Sequence, residues 1–256
     1  MSSLKFPTLG ELSPRGIRVL ELVLVLGVAF LGAGIGSLQV VFTDRLPSPT
    51  PGSADWHATA LLLHFVVGLT LLAYVVHRQG RGATYLNPAI TGRDIPWSLV
   101  LFILGLFAAV LCYLLIGGWV AAHTGRSLSG SNALWSAKRA ADSLHGISPL
   151  ADVTLSVLVV ARVVVNPLFE ELIVRAYAMT EVLGLTGSGA LAVLVSVGVQ
   201  TFYHLYQGVP LALAHGATFS VFSLYYLRTR RIAPVILAHL YGDVGGLTLS
   251  LLRAGI

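Results

Sequence analysis

The sequence predicts an all-α protein, a polytopic transmembrane bundle of about seven to eight helices enclosing a polar intramembrane cavity. Three observations predict it. Of 256 residues, 55% are hydrophobic and 11% are charged, whereas an ordinary soluble domain carries about 25% charged residues. Several nearly charge-free runs of about twenty residues are long enough, as helices, to cross a hydrocarbon core about 30 Å thick. In the later runs, polar residues recur four apart and so share single helix faces. A soluble reading would require several helices buried on every side.

Taken in order, the spans fall at roughly 18–42, 57–77, 97–122, 150–180, 188–206, 209–227 and 232–252. The first follows Lys5, Arg15 and Arg18, as a signal peptide would. Its apolar stretch runs to Phe42, however, which is beyond a signal-peptide core and indicates a retained span. It contains Gly32-x-x-x-Gly36, a spacing that lets a second helix approach closely. A Pro/Ser-rich loop at 43–56 links it to the second span. Between spans two and three lie Arg78, Arg81 and Arg93, and between six and seven lie Arg228, Arg230 and Arg231. By the positive-inside rule these place the N-terminus and both basic loops in the cytoplasm. The long connection at 123–149 includes SNALWSAKRAADSLHG, which reads as a connector or as a short interfacial helix able to cover a substrate entrance. The organisation is a single membrane domain, with helices and loops over 1–149 and a helical core over 150–256.

The net charge of +5 is distributed between hydrophobic runs. It does not form one patch interleaved with aromatics, so topology explains it and a nucleic-acid partner is not expected. The single cysteine, Cys112, allows neither an intrachain disulfide nor a cysteine metal cage and reads as a small buried hydrophobe. The remaining expected partners are the lipid bilayer and a substrate held in it.

Ionisable side chains inside a membrane are costly, and each one in a span is a candidate functional residue. In the fourth span Asn166, Pro167, Glu170, Glu171 and Arg175 cluster. Glu171 and Arg175 are four apart in the favourable acid-first order and can pair. Glu170, turned about 100° away, shares a stripe with Asn166 and Arg162 and is expected to face an interior cavity. In the fifth span Ser196, Gln200 and His204 share one face, and in the seventh His239 and Asp243 do. One histidine in an apolar helix is usually a packed residue, but three helices with polar rows read as walls of one wet cavity. His57, His64, His77, His123, His145 and His215 lack a matching acidic neighbour at helical spacing within the membrane and read as structural or interfacial.

Glu170-Glu171-x-x-x-Arg175, then His204, then His239-x-x-x-Asp243 resemble the ordered motifs of the CPBP family. That family comprises CAAX-protease-like and bacteriocin-processing intramembrane proteases, including the type II CAAX prenyl endopeptidases. The resemblance covers about 160–245. It departs from the family at Gln200, where phenylalanine usually stands, and at Asp243, where asparagine is frequent. It implies an intramembrane endopeptidase acting on a membrane-anchored protein or peptide, whether a CAAX-like tail, a leader or a C-terminal sorting signal, in what is expected to be a prokaryotic cytoplasmic membrane.

The resemblance also casts Glu170 as the base that activates water, His204 as helping to hold that water, and His239 with Asp243 near the oxyanion. Glu171, Arg175, Asn166 and Gln200 are supporting residues. An ionised Asp243 can only accept hydrogen bonds, so it is expected to orient His239 by accepting from its ring, or to remain protonated. No cofactor is expected. The alternative is a zinc-dependent metalloendopeptidase-like mechanism with Glu170, His204 and His239 as ligands, although H-E-x-x-H is absent and the ligands must converge from three helices. A non-enzymatic immunity or scaffold protein of the same fold is a further alternative, and a transporter a weaker one, since paired interrupted helices and repeats are missing.

One tension follows from these spans. His204 lies near the outer end of the fifth and His239 near the cytoplasmic end of the seventh, up to roughly 20 Å apart in depth. Either the turn at Gly208 to Pro210 dips into the protein or the boundaries are misplaced.

Overall fold

The computed structural model describes residues 14–43, 53–82, 85–86, 88–124 and 157–254. Every regular element among them is helical, and seven rods follow one another. They are α1 (14–43), α2 (Ser53–Arg78), α3 (Asp94–Thr124), α4 (157–186), α5 (Gly189–Tyr203), α6 (Val209–Thr229) and α7 (Ala233–Ala254). The interfacial helix expected within 123–149 and most of the 43–56 loop lie outside the described residues. Four rods contain segments long and apolar enough to cross a membrane: Pro14–Phe42, Thr59–Arg78, Asp94–Trp119 and Gly189–Gln207.

The fold is centred on α4, which packs against α2, α5 and α7. Its middle, Leu172–Met179, is a π-helical stretch in which every residue is buried. Such wide turns inside α-helices are frequent at functional sites. Pro167, inside the preceding α-helix, lacks a backbone N–H and loosens the ladder one turn before Glu170. α6 lies between α3 and α5, and α7 packs on both α3 and α4. At the periphery α3 exposes Ile103, Phe107 and Leu114, as a helix in contact with lipid does.

Close approach depends on glycines other than the Gly32-x-x-x-Gly36 pair. A Cβ at Gly32 or Gly36 would meet nothing, whereas one at Gly34 would collide with the Phe202 ring. In α2 a Cβ at Gly68 would sit 2.5 Å from the Phe169 ring. Phe169 is 2% exposed and precedes Glu170, so the absence of a side chain at 68 helps set where the acidic pair lies. Gly68→Val is expected to lower stability by about 1–3 kcal/mol through overpacking and to impair any activity centred on Glu170. Thermal unfolding in detergent alongside Gly36→Val, which has open space, checks this.

The basic loops gather at one end of the bundle around buried carboxylates. Glu181, fully buried on α4, accepts from Arg18 of α1 at 2.9 Å, from Arg81, and from the Tyr85 hydroxyl at 2.8 Å. Burial and then this bond to Glu181 hold the Tyr85 proton on well above the usual tyrosine range, so Tyr85 acts as a permanent donor. Glu21 accepts from Arg78 and Gln79, and Asp94 accepts from Arg231. Glu21 and Glu181 carried no pairing signal in the sequence because their partners lie 57 to 163 residues away.

Candidate active site

The acidic pair of α4 divides its contacts. Glu171 is fully buried, and its Oε1 accepts from Arg175 Nη1 at 2.9 Å and from His239 Nδ1 at 2.7 Å. Glu170, 4% exposed, faces α5 and α7. Its Oε2 accepts from Gln200 Nε2 at 3.3 Å and lies 3.9 Å from His239 Nε2. Because a carboxylate only accepts, the Glu171 contact puts a hydrogen on His239 Nδ1 and turns Nε2 toward Glu170.

Gln200 links the acidic pair to the second histidine. While its side chain reaches Glu170, its backbone carbonyl accepts from His204 Nδ1 at 2.8 Å, which leaves His204 Nε2 free of that bond. The aromatic hub is Phe219 of α6. Its ring centroid is 5.2 Å from His204, 6.1 Å from His215 and 5.8 Å from His239, and the Arg175 guanidinium lies over it at 4.9 Å. His204 and His215 are 5.1 Å apart. Three imidazoles and a guanidinium thus surround one phenyl ring.

His204 and His239 lie at one level of the bundle, both against Phe219 at 5.2 and 5.8 Å. α5 stops at Tyr203, and His204–Gln207 form a 3-10 turn that ends at Gly208, where φ is +94°. His204 and Gly208 are buried and Leu205, Tyr206 and Gln207 half-buried, so the turn packs against the rest of the protein. Irregular backbone is tolerated at such depth only when protein surrounds it or it lines a cavity. A positive φ of this kind strains any residue but glycine, which is why Gly208 stands there.

Asp243 differs from its expected role. Its Oδ2 accepts from Asn166 Nδ2 at 3.1 Å, while its Oδ1 is 3.6 Å from His239 Nε2, too long for a hydrogen bond. Glu171 rather than Asp243 orients the ring. At 28% side-chain exposure, Asp243 and Asn166 form the more open edge of the site. Ser196 shares the face of Gln200 and His204, but its hydroxyl meets Ser223 at 3.0 Å, so it ties α5 to α6.

Near the acids and histidines stand Phe219 and Tyr203, which carried no signal in the sequence, and His215, which read as structural or interfacial. Phe219 and His215 lie four apart on α6, a spacing that has no polar signature in an apolar helix. Tyr203, 7% exposed, stacks on Phe30 at 5.2 Å and has its carbonyl capped by Ser37. Its buried hydroxyl has no hydrogen-bond partner. Among the described residues no three His, Cys, Asp or Glu side chains are grouped to hold a metal ion. Nδ1 of His239 and Nδ1 of His204 are both engaged by protein acceptors, so a zinc ion on Glu170, His204 and His239 would have to use their Nε2 atoms.

A buried carboxylate with one imidazole 3.9 Å away and a second linked to it through Gln200 can take a proton from water and return it to another group. Residues 152–245 match the family of type II CAAX prenyl endopeptidase Rce1-like proteins. Asn166, Glu170, Glu171, Arg175, Gln200, His204, His239 and Asp243 all fall inside the matched segment, whereas α1, α2 and α3 fall outside it. The match agrees with the resemblance drawn from the motifs. No curated protein and no solved structure matches the chain.

Proposed function

We propose that the chain is a multi-pass intramembrane endopeptidase that hydrolyses a peptide bond of a membrane-anchored protein or peptide with water activated by Glu170. The carrying observation is the convergence, in a buried setting, of Glu170, His239 and the Gln200-linked His204 from three separate helices. The match to a type II CAAX prenyl endopeptidase family supports the same reading, with a CAAX-like tail as the first substrate class to try. The arginine-rich end of the bundle supports a cytoplasmic location for the N-terminus and for both basic loops.

In the proposed cycle, water sits between Glu170 and the free Nε2 of His204. Glu170 takes a proton as the water oxygen bonds to the scissile carbonyl carbon. The resulting oxyanion accepts from Nε2–H of His239, a ring that carries both protons while Glu171 holds Nδ1–H, and the proton on Glu170 passes to the leaving amine as the C–N bond breaks. Tyr203→Phe removes a hydroxyl that has no hydrogen-bond partner, so kcat is expected to stay within about 3-fold of native, below the worth of a hydrogen bond to a charged group. A loss of kcat beyond about 10-fold with KM unchanged would instead give Tyr203 a positioning role.

The test is cleavage of membrane-tethered peptides ending in CAAX-like tails by purified protein in nanodiscs, with and without exhaustive chelation. Cleavage in both conditions supports the glutamate reading. Loss on chelation with recovery on added zinc would transfer the mechanism to a metal. No cleavage of tails, leaders or sorting signals would favour a non-enzymatic scaffold or immunity role.

A further inference from the structure

A second polar feature lies at the basic end, away from Glu170. A groove of about 440 Å³ opens between the start of α3 and the end of α6, lined by Arg93, Asp94, Trp97, Tyr225, Thr229 and Arg231 among others. We propose that it binds the phosphate headgroup of an anionic phospholipid, whose acyl chains run down the exposed face of α3.

Charge supports this first. Arg231 donates to both oxygens of Asp94, at 3.1 and 2.7 Å, and Thr91 donates to Oδ2 from its backbone N–H and its hydroxyl at 2.6 and 2.8 Å. The Asp94 charge is therefore cancelled and its acceptor capacity filled. Arg93 is exposed and has no hydrogen bond or ion pair among the described residues, which leaves one uncompensated guanidinium at the groove. A guanidinium is the side chain best matched to phosphate oxygens. Arg228, exposed on the neighbouring turn, adds positive potential.

The surroundings decide between a membrane lipid and a soluble anion. Trp97, 55% exposed, and Tyr225, 6.3 Å from it, form an aromatic wall, the pairing of apolar ring and polar tip that favours headgroup depth. Below it, α3 is the least covered of the four candidate spans, with 11% of its most apolar stretch buried. Val100 and Leu104, exposed three and seven positions after Trp97, continue that residue's face as a surface for acyl chains. Anionic lipids concentrate in the leaflet that faces basic loops, which is the side on which the groove opens. The proposal is independent of whether the chain cleaves peptides.

The experiment uses the full chain with Trp56, Trp119 and Trp135 replaced by phenylalanine, leaving Trp97 as the fluorophore in phosphatidylcholine nanodiscs. Acyl-brominated phosphatidylglycerol or acyl-brominated phosphatidylcholine is supplied as a minor component. The expected result is several-fold stronger quenching by the glycerol lipid, with the advantage lost in Arg93→Gln while quenching by the choline lipid stays the same. Because Arg93 makes no hydrogen bond or ion pair among the described residues, that constant choline signal also reports an intact fold. Equal quenching by both lipids in the protein retaining Arg93 would overturn the proposal. So would release of the glycerol lipid by inorganic phosphate beyond that by chloride at equal ionic strength, which would make the groove a site for soluble anions.

Discussion

Glu170→Gln is expected to lower kcat on a membrane-tethered peptide by about 10²- to 10⁴-fold, the usual contribution of a positioned general base. The substitution keeps the shape of the side chain. Its amide oxygen can still accept from Gln200, which donates at 3.3 Å in the native protein. What it removes is the ability to take a proton from water. Because Glu170 is 4% exposed, neutralising it also removes a charge that is costly to bury, so folding should not suffer. A full loss of turnover with unchanged or raised thermal stability therefore separates a catalytic role from a structural one. Glu170→Gln with native turnover would end the assignment.

The largest effect on stability is expected at Arg175. Its side chain has no exposure, it pairs with Glu171 at 2.9 Å, and it covers Phe219. Arg175→Met fills similar volume but leaves Glu171 buried without its guanidinium partner. Breaking a buried pair from one side typically costs about 3–5 kcal/mol, measurable as a lowered midpoint of thermal unfolding in detergent. The double substitution Glu171→Leu with Arg175→Met should restore much of that stability, since removing both charges leaves none unpaired. It should not restore turnover, because His239 Nδ1 loses its 2.7 Å acceptor. Stability and turnover recovering together would mean that Glu171 does not orient the histidine.

The helical rods and the polar rows were legible because both depend on local spacing. Residues four apart share a face whatever the rest of the chain does, so Glu171 with Arg175 and Gln200 with His204 could be paired from the sequence. Which rows meet depends on tertiary geometry. The inward 3-10 turn at His204–Gln207 was foreshadowed by Gly208 and Pro210 only as one of two options. The partner of His239 was read as Asp243 because that residue is four away on the same helix, whereas the group that binds it comes from α4, 68 residues distant. Gly34 was passed over for Gly32 and Gly36 because the familiar spacing carries no information about which side of α1 faces Phe202. Phe219 could not be distinguished from an ordinary core aromatic, since nothing in an apolar helix marks a ring as the one that histidines will surround.

The central claim is that Glu170, His204 and His239 act on one bond. The most direct measurement is an experimental structure of the Glu170→Gln protein in nanodiscs with an uncleaved membrane-tethered peptide. The account predicts the scissile carbonyl between His204 and His239, its carbon facing position 170 and its oxygen within hydrogen-bond reach of the His239 ring. A peptide bound elsewhere, with those side chains facing separate compartments, would contradict it.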